Sequence, residues 1–238
     1  MLAGVNIGLM ESSATGKRGY HHGDLRNALI DAAAELAAKG GPESVTIRAA
    51  AREVGVTPTA AYRHFGGHEE LLKAAKERAL DELTAAMRRE VDARKTSLAD
   101  PVLDALARFG ALGRAYIAFA RAQPGLFRTV FAPGGSVLPP RGEETSAFLA
   151  LLQALDDLVE VGYLPAEQRP MAELASWSMM HGLAALLDGP LRELPADLRD
   201  QVVVRSMLTL GHGLRANGLT PEQEALLAGE FAELGRPV

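Results

Sequence analysis

An all-α fold in two parts is predicted by three features of the sequence. Apolar residues recur at intervals of three and four along most of the chain. No stretch alternates apolar with polar residues as a half-buried strand would, and glycines and prolines punctuate the periodic segments. Residues 1–16 are rich in Gly, Ser and Thr without a helical period and are expected to be mobile. The first helix follows, with Leu25, Ala28, Leu29, Ala32, Ala33 and Leu36 on one face and Gly40 and Gly41 closing it. A second runs from the N-cap Thr46 to the stop Gly55. A third, "TPTAAYRHF", has Thr57 as N-cap and Pro58 at the first helical position, where the missing N–H costs nothing. A longer helix is expected from His68 to about Asp92.

Beyond "RKTSLAD" the second part begins. Val102, Leu106, Phe109, Gly113, Tyr116, Ile117 and Ala120 mark a further helix, and "PGLFRTVF" a short one after Pro124. "APGGSVLPPRG" reads as a loop, and helices are expected over about 143–162, 167–188, 197–216 and 221–234, separated by prolines. The sequence contains no repeat.

The third helix poses a question, because "GVTPTAAYRHFGGHEELL" is too poor in bulk for a packing helix. Two short helices joined at Gly55 make a helix-turn-helix. Ala51 permits a close crossing, Gly55 takes the left-handed turn, and Val54 and Val56 seat the corner. A recognition helix lies in the major groove, so its outer face has to be small or polar. Thr59, Ala60 and Arg63 are then placed for base edges, and Tyr62 and His64 for the strand walls. The N-termini at Thr46, at Thr57 and near Gly67 and His68 would offer backbone N–H groups to phosphate.

"YHHGDLRNALIDAAAELAAKGG" and "SVTIRAAAREVGVTPTAAYRHFGGHEELL", with their spacing, resemble the tetracycline-repressor (TetR) family of transcription regulators over residues 19–80. "YIAFARAQPGLFRTVF" and "WSMMHGLAALL" resemble the C-terminal domain of one branch with a Trp-His-Gly signature, here Trp177, His181 and Gly182. The resemblance implies that Thr46, Thr57, Tyr62 and His64 contact phosphates and that Arg48, Pro58, Thr59 and Ala60 approach bases. Where the family places a phosphate-gripping Lys at the start of the fourth helix, this chain has His68. It further implies a helix-turn-helix domain over 17–65, an effector-binding and dimerisation domain over 66–238, and a homodimer seam on the helices near 167–188 and 197–216. The partners expected are an operator duplex and a small, largely apolar effector, with no cofactor and no membrane, in the cytoplasm.

Charge and composition bear on the other readings. Residues 17–65 carry seven basic and five acidic residues in a chain of net charge −5, so the remainder holds −7. A mildly basic head on an acidic body suits contact with a polyanion. Cysteine is absent, which excludes disulfides and thiolate metal sites. The apolar start lacks a basic flank and a cleavage site, so it is not read as a signal peptide, and no apolar run reaches about 18 residues. Lys17 and Arg18 in "KRGYHH" form either a DNA-binding arm or a polar tail. His21, His22 and Asp24 lack a fourth ligand for zinc, and two glycines break any helix that would align His64 with His68. Phe109, Tyr116, Phe119, Phe127 and Phe131 either line an effector pocket or form ordinary core, with Trp177, Met180 and His181 as further pocket candidates. His181 is either a hydrogen-bonded core histidine or an effector contact, and Gly113 and Gly182 are read as sites of close helix approach. No GxSxG, P-loop, HExxH, dinucleotide fingerprint or carboxylate pair supports an enzyme. The alternatives are a helical interaction module that has lost DNA binding and an all-α enzyme.

Overall fold

The computed structural model describes residues 22–94, 97–133, 146–215 and 222–223, with side chains of the first helix from Leu25 onward. Lys17, Arg18, the N-terminal segment, most of the "APGGSVLPPRG" loop and most of the helix expected at 221–234 lie outside the described residues. Within them the chain is entirely helical, in the order α1 (His22–Gly40), α2 (Ile47–Val54), α3 (Pro58–Ala61), α4 (His68–Asp92), α5 (Pro101–Ala122), α6 (Pro124–Val130), α7 (Ser146–Glu160), α8 (Ala172–Asp188) and α9 (Ala196–Leu214). Short 3-10 turns occupy Pro42–Ser44 and Ala166–Gln168.

The head is built around alanines. Ala33, Ala50, Ala51 and Ala61 are buried where α1, α2 and α3 meet, so three backbones approach closely over a small core. Leu29, Val45, Ile47 and Phe65 fill the remaining space. Phe65 is only 1% exposed, and burying it contributes about 2–3 kcal/mol. Gly55 takes φ 77, in the left-handed region, and the Val56 N–H returns to Ala51 O at 2.9 Å to close the corner between α2 and α3.

Helix α4 leaves the head and runs into the body, packing on α1 at one end and on α5, α6 and α7 along its length. Helix α5 is the body's centre, touched by α4, α6, α7, α8 and α9. Helix α6 rests across α1, which makes a second bridge from body to head. None of the described helices is long and apolar enough to cross a membrane.

One helix boundary differs from expectation. The helix read as 167–188 starts at Ala172, because Pro170 interrupts the ladder and Met171 adopts φ 67. The residues before it form the 3-10 turn, and Arg169 is clamped there by Asp156 at 2.7 Å and Glu173 at 2.8 Å.

The contact of α6 with α1 leaves no room for a side chain. A Cβ on Gly125 would lie 2.2 Å from Ala37 O and 2.5 Å from Ala38 O, both backbone atoms that cannot swing aside. Gly125→Ala therefore has to push α6 off α1 at a cost of about 1–3 kcal/mol or more. Thermal melting followed by circular dichroism should show the variant's Tm lowered by several degrees. An unchanged Tm would contradict the close approach.

Candidate nucleic-acid interface and ligand cavity

Two threonines fix the recognition element. Thr46 Oγ1 accepts from the Ala49 N–H at 3.1 Å, and Thr57 Oγ1 accepts from the Ala60 N–H at 3.2 Å. Each hydroxyl keeps its own proton to donate outward, on an exposed residue. Regular helix in α3 is one turn, Pro58–Ala61, after which Tyr62, Arg63 and His64 continue as a turn held by Tyr62 N–H to Pro58 O and His64 N–H to Ala61 O, both at 2.9 Å. Ala61 and Phe65 face inward. Pro58, Thr59 and Arg63 face outward, Ala60 and His64 are half-buried, and Tyr62 is 52% exposed. Arg48 is exposed in the first turn of α2, and His68 is exposed at the start of α4. Arg48, Arg52 and Arg63 form no ion pair among the described residues, so three cations are left to an outside anion.

The N-terminus of α4 brings acidic side chains beside its two glycines. Glu70 Oε2 accepts the Gly66 N–H at 2.7 Å, and Glu69 shares the first turn. Two carboxylates thus sit at the positive end of the helix dipole. Glu70 stands three residues after the cap Gly67, the place of a capping-box acid, but its bond goes to the Gly66 N–H one residue before the cap.

The body holds a cavity of about 410 Å3 bounded by α4, α5, α7, α8 and α9. Of the expected pocket residues, Phe109, Tyr116, Phe131, Trp177 and Met180 line it. Phe119, Phe127 and His181 do not. Phe119 points instead to a shallow alanine-lined groove between α4 and α5. Phe127 and His181 lie behind the wall, with Phe127 5.3 Å from the Tyr116 ring and His181 4.5 Å from the Phe131 ring. Leu83 and Met87 of α4, Leu106 of α5, Leu151 of α7, Ser176 of α8 and Met207 of α9 are among the other lining residues. Nothing in their periodicity separates them from ordinary core. A Cβ on Gly113 would lie 3.2 Å from Met207 Cε, so that glycine does admit a close neighbour. Gly182 has nothing within 4 Å of its Cβ position, so within the chain it serves no close approach.

A hydrogen-bonded relay stiffens the wall. Trp177 Nε1–H donates to Tyr116 Oη at 3.1 Å, and Tyr116 Oη lies 2.9 Å from His181 Nδ1. Oη thus accepts from Trp177 and shares a second hydrogen bond with His181 Nδ1, and neutral His181 with its proton on Nε2 is the tautomer in which Oη donates there. Burial acts in the same direction, holding the His181 imidazole below the ordinary histidine range and pushing the Tyr116 phenol up.

Residues 29–75 match the family model described as bacterial regulatory proteins, tetR family, and residues 109–210 match the tetracyclin repressor-like C-terminal domain. No curated protein matches the chain. Among solved structures, a protein with unknown function from Rhodococcus sp. RHA1 is 28% identical, over 84% of this chain and 100% of that one, with a TM-score of 0.62. A TetR family transcription regulator from Marinobacter aquaeolei VT8 is 17% identical over 81% and 96% of the two chains, with a TM-score of 0.57. A TetR-family transcriptional regulator from Haemophilus influenzae RD is 16% identical over 78% and 95%, with a TM-score of 0.52. The last two likenesses establish the fold.

The relay carries a pH dependence of defined sign. A histidine with a lowered folded pKa contributes stability that is present above its unfolded pKa, about 6.5, and is lost as pH falls through the folded value. The wild-type Tm should therefore fall more between pH 7.5 and 5 than that of a His181→Asn variant, measured by circular dichroism. Parallel curves would show that His181 is not held neutral.

Proposed function

We propose, from the premise that this chain belongs to the TetR family of transcription regulators, that it is a homodimeric repressor released from its operator by a small, largely apolar effector. The observation that carries this reading is the exposed segment from Thr57 to Arg63, capped by Thr57, small enough for a major groove and accompanied by arginines without an ion pair among the described residues. Thr46, Thr57, Tyr62 and His64 would hold phosphates, and Arg48, Pro58, Thr59 and Ala60 would meet bases. His68, and the arm at Lys17 and Arg18, would add phosphate contacts. The head is assigned to residues 17–65 and the body to 66–238, with α4 carrying the one on the other.

One single-turn recognition element reads only a few base pairs, so specificity requires two copies on a near-palindromic site. The dimer is assigned to α8 and α9, where Met179, Leu186, Val204 and Leu208 are exposed although apolar. Gly182 and Gly213 leave open space on the same two helices, which suits the approach of a second backbone. The effector is assigned to the 410 Å3 cavity, whose size falls in the range of small-molecule sites. An unfilled cavity lowers stability by about 24 cal/mol per Å3, so its retention fits a ligand. The effector changes the tilt of α4 and with it the separation of the two heads. A coupling of about 1–3 kcal/mol corresponds to roughly 5- to 150-fold weaker DNA binding.

The test is fluorescence anisotropy with DNA from the chain's own upstream region and from a random-sequence selection. Affinity should fall steeply as salt rises. Arg48→Ala should relax base preference at one position by about 1–3 kcal/mol, whereas Tyr62→Phe should weaken all sequences alike. No binding to any duplex at low ionic strength would overturn the reading.

A further inference from the structure

The cavity's polar groups are nearly all engaged, and the exception defines a ligand class. Trp177 Nε1 is spent on Tyr116 Oη, and Tyr116 Oη on His181. Tyr163 Oη donates to Gly211 O at 2.9 Å. Arg114, the cationic side chain on the rim, is exposed and holds Glu90 at 3.4 Å. His212 is exposed on the same rim. Ser176 remains. It is 2% exposed, lies in the cavity wall on α8, and its Oγ has no hydrogen-bond partner among the described residues. A buried hydroxyl without a partner is rare in a folded chain and calls for an explanation. Ser176 Oγ is shielded where it stands, so meeting a ligand in the cavity takes a rotation about χ1.

We infer that the effector is a neutral molecule with an apolar body and one hydroxyl or carbonyl oxygen, which hydrogen-bonds to Ser176. This rests on the assignment of the effector to this cavity and adds its chemical class. An anionic ligand would find cationic side chains only on the exposed rim, where Arg114 meets Glu90 through Nε alone and His212 lies beside it, and its buried end would meet none, whereas a pure hydrocarbon would leave Ser176 unpaired. A molecule with one neutral oxygen satisfies the site without disturbing any existing bond.

The chain contains a single tryptophan, and Trp177 lines the cavity, so its emission reports entry directly. Full-length protein is titrated with 1-decanol, sodium decanoate and n-decane, alongside Ser176→Ala and Ser176→Thr. The expected result is tightest binding of 1-decanol, weakened about 2- to 12-fold by Ser176→Ala and retained by Ser176→Thr, with n-decane binding unchanged in both variants. Equal 1-decanol affinity in wild type and Ser176→Ala would overturn the Ser176 assignment while leaving the cavity as the effector site. Tightest binding of decanoate would overturn the neutral class. No emission change with any probe, from protein that still binds DNA, would overturn the cavity assignment and this inference together.

Discussion

Helix α6 lies against the carboxyl end of α1 with backbone on backbone at Gly125, and the seat of the head on the body depends on that contact. Gly125 is the point of contact, and the carbonyls of Ala37 and Ala38 are its floor. The same short helix is held from other sides. Thr129, fully buried, returns its hydroxyl to Gly125 O at 2.8 Å. Arg128 reaches Asp188 at the end of α8 at 2.9 Å, and Lys76 of α4 donates to Ala132 O just beyond α6. A seven-residue helix thus touches the head, the connecting helix and the outer bundle at once. Its inner face carries Phe127, whose ring meets Tyr116 and His181 on the back of the cavity wall. The cavity wall is thus linked to α1 through the Phe127 ring and then the α6 backbone. Close packing transmits displacement because the neighbours have no free volume to absorb it.

Helix α4 provides the parallel connection and is anchored where it ends. Asp104, buried at the start of α5, accepts the Leu98 N–H at 2.9 Å and Arg94 Nη2 at 2.7 Å. Arg108 joins it at 3.4 Å and reaches on to Asp157 of α7 at 3.3 Å. The Leu98 N–H, followed by the two arginines, holds the Asp104 carboxyl below the usual carboxylate range against the opposing effect of burial. The far end of α4 is thereby tied to α5 and α7, while Leu80, Leu83 and Met87 in its middle face the cavity. In the proposed induction a push on the middle of α4 is passed to the end that bears the head, where α1 and α6 pack against it.

The sequence made the local structure of the head readable because the rules there are local. Thr46, Gly55, Thr57 and Pro58 each act through their immediate neighbours, and every one occupies the cap or turn its residue type favours. The body was legible only as a set of helices. Periodicity states which side chains point inward, not which neighbours they meet, so Phe119, Phe127 and His181 were grouped with the cavity although they pack beside or behind it. Ser176 gave no sign at all, since a small polar residue in a helix is unremarkable until its partners are known to be missing. Met171 was missed for a different reason: its left-handed φ is imposed by the turn after Pro170 and not by its own preference.

The central claim is that the cavity and the recognition elements move together. With no native cysteine in the chain, Glu35→Cys on the exposed face of α1, outside the assigned DNA contacts, gives one spin-label site per protomer, and electron–electron double resonance reads the distance between the two labels of the proposed dimer. On operator DNA the distance should be single and narrow, because the two heads are then held one helical turn apart. A folded variant with the cavity filled by Leu106→Trp should move that distance and broaden it in the absence of DNA. The same distribution with the cavity open and filled would contradict the account.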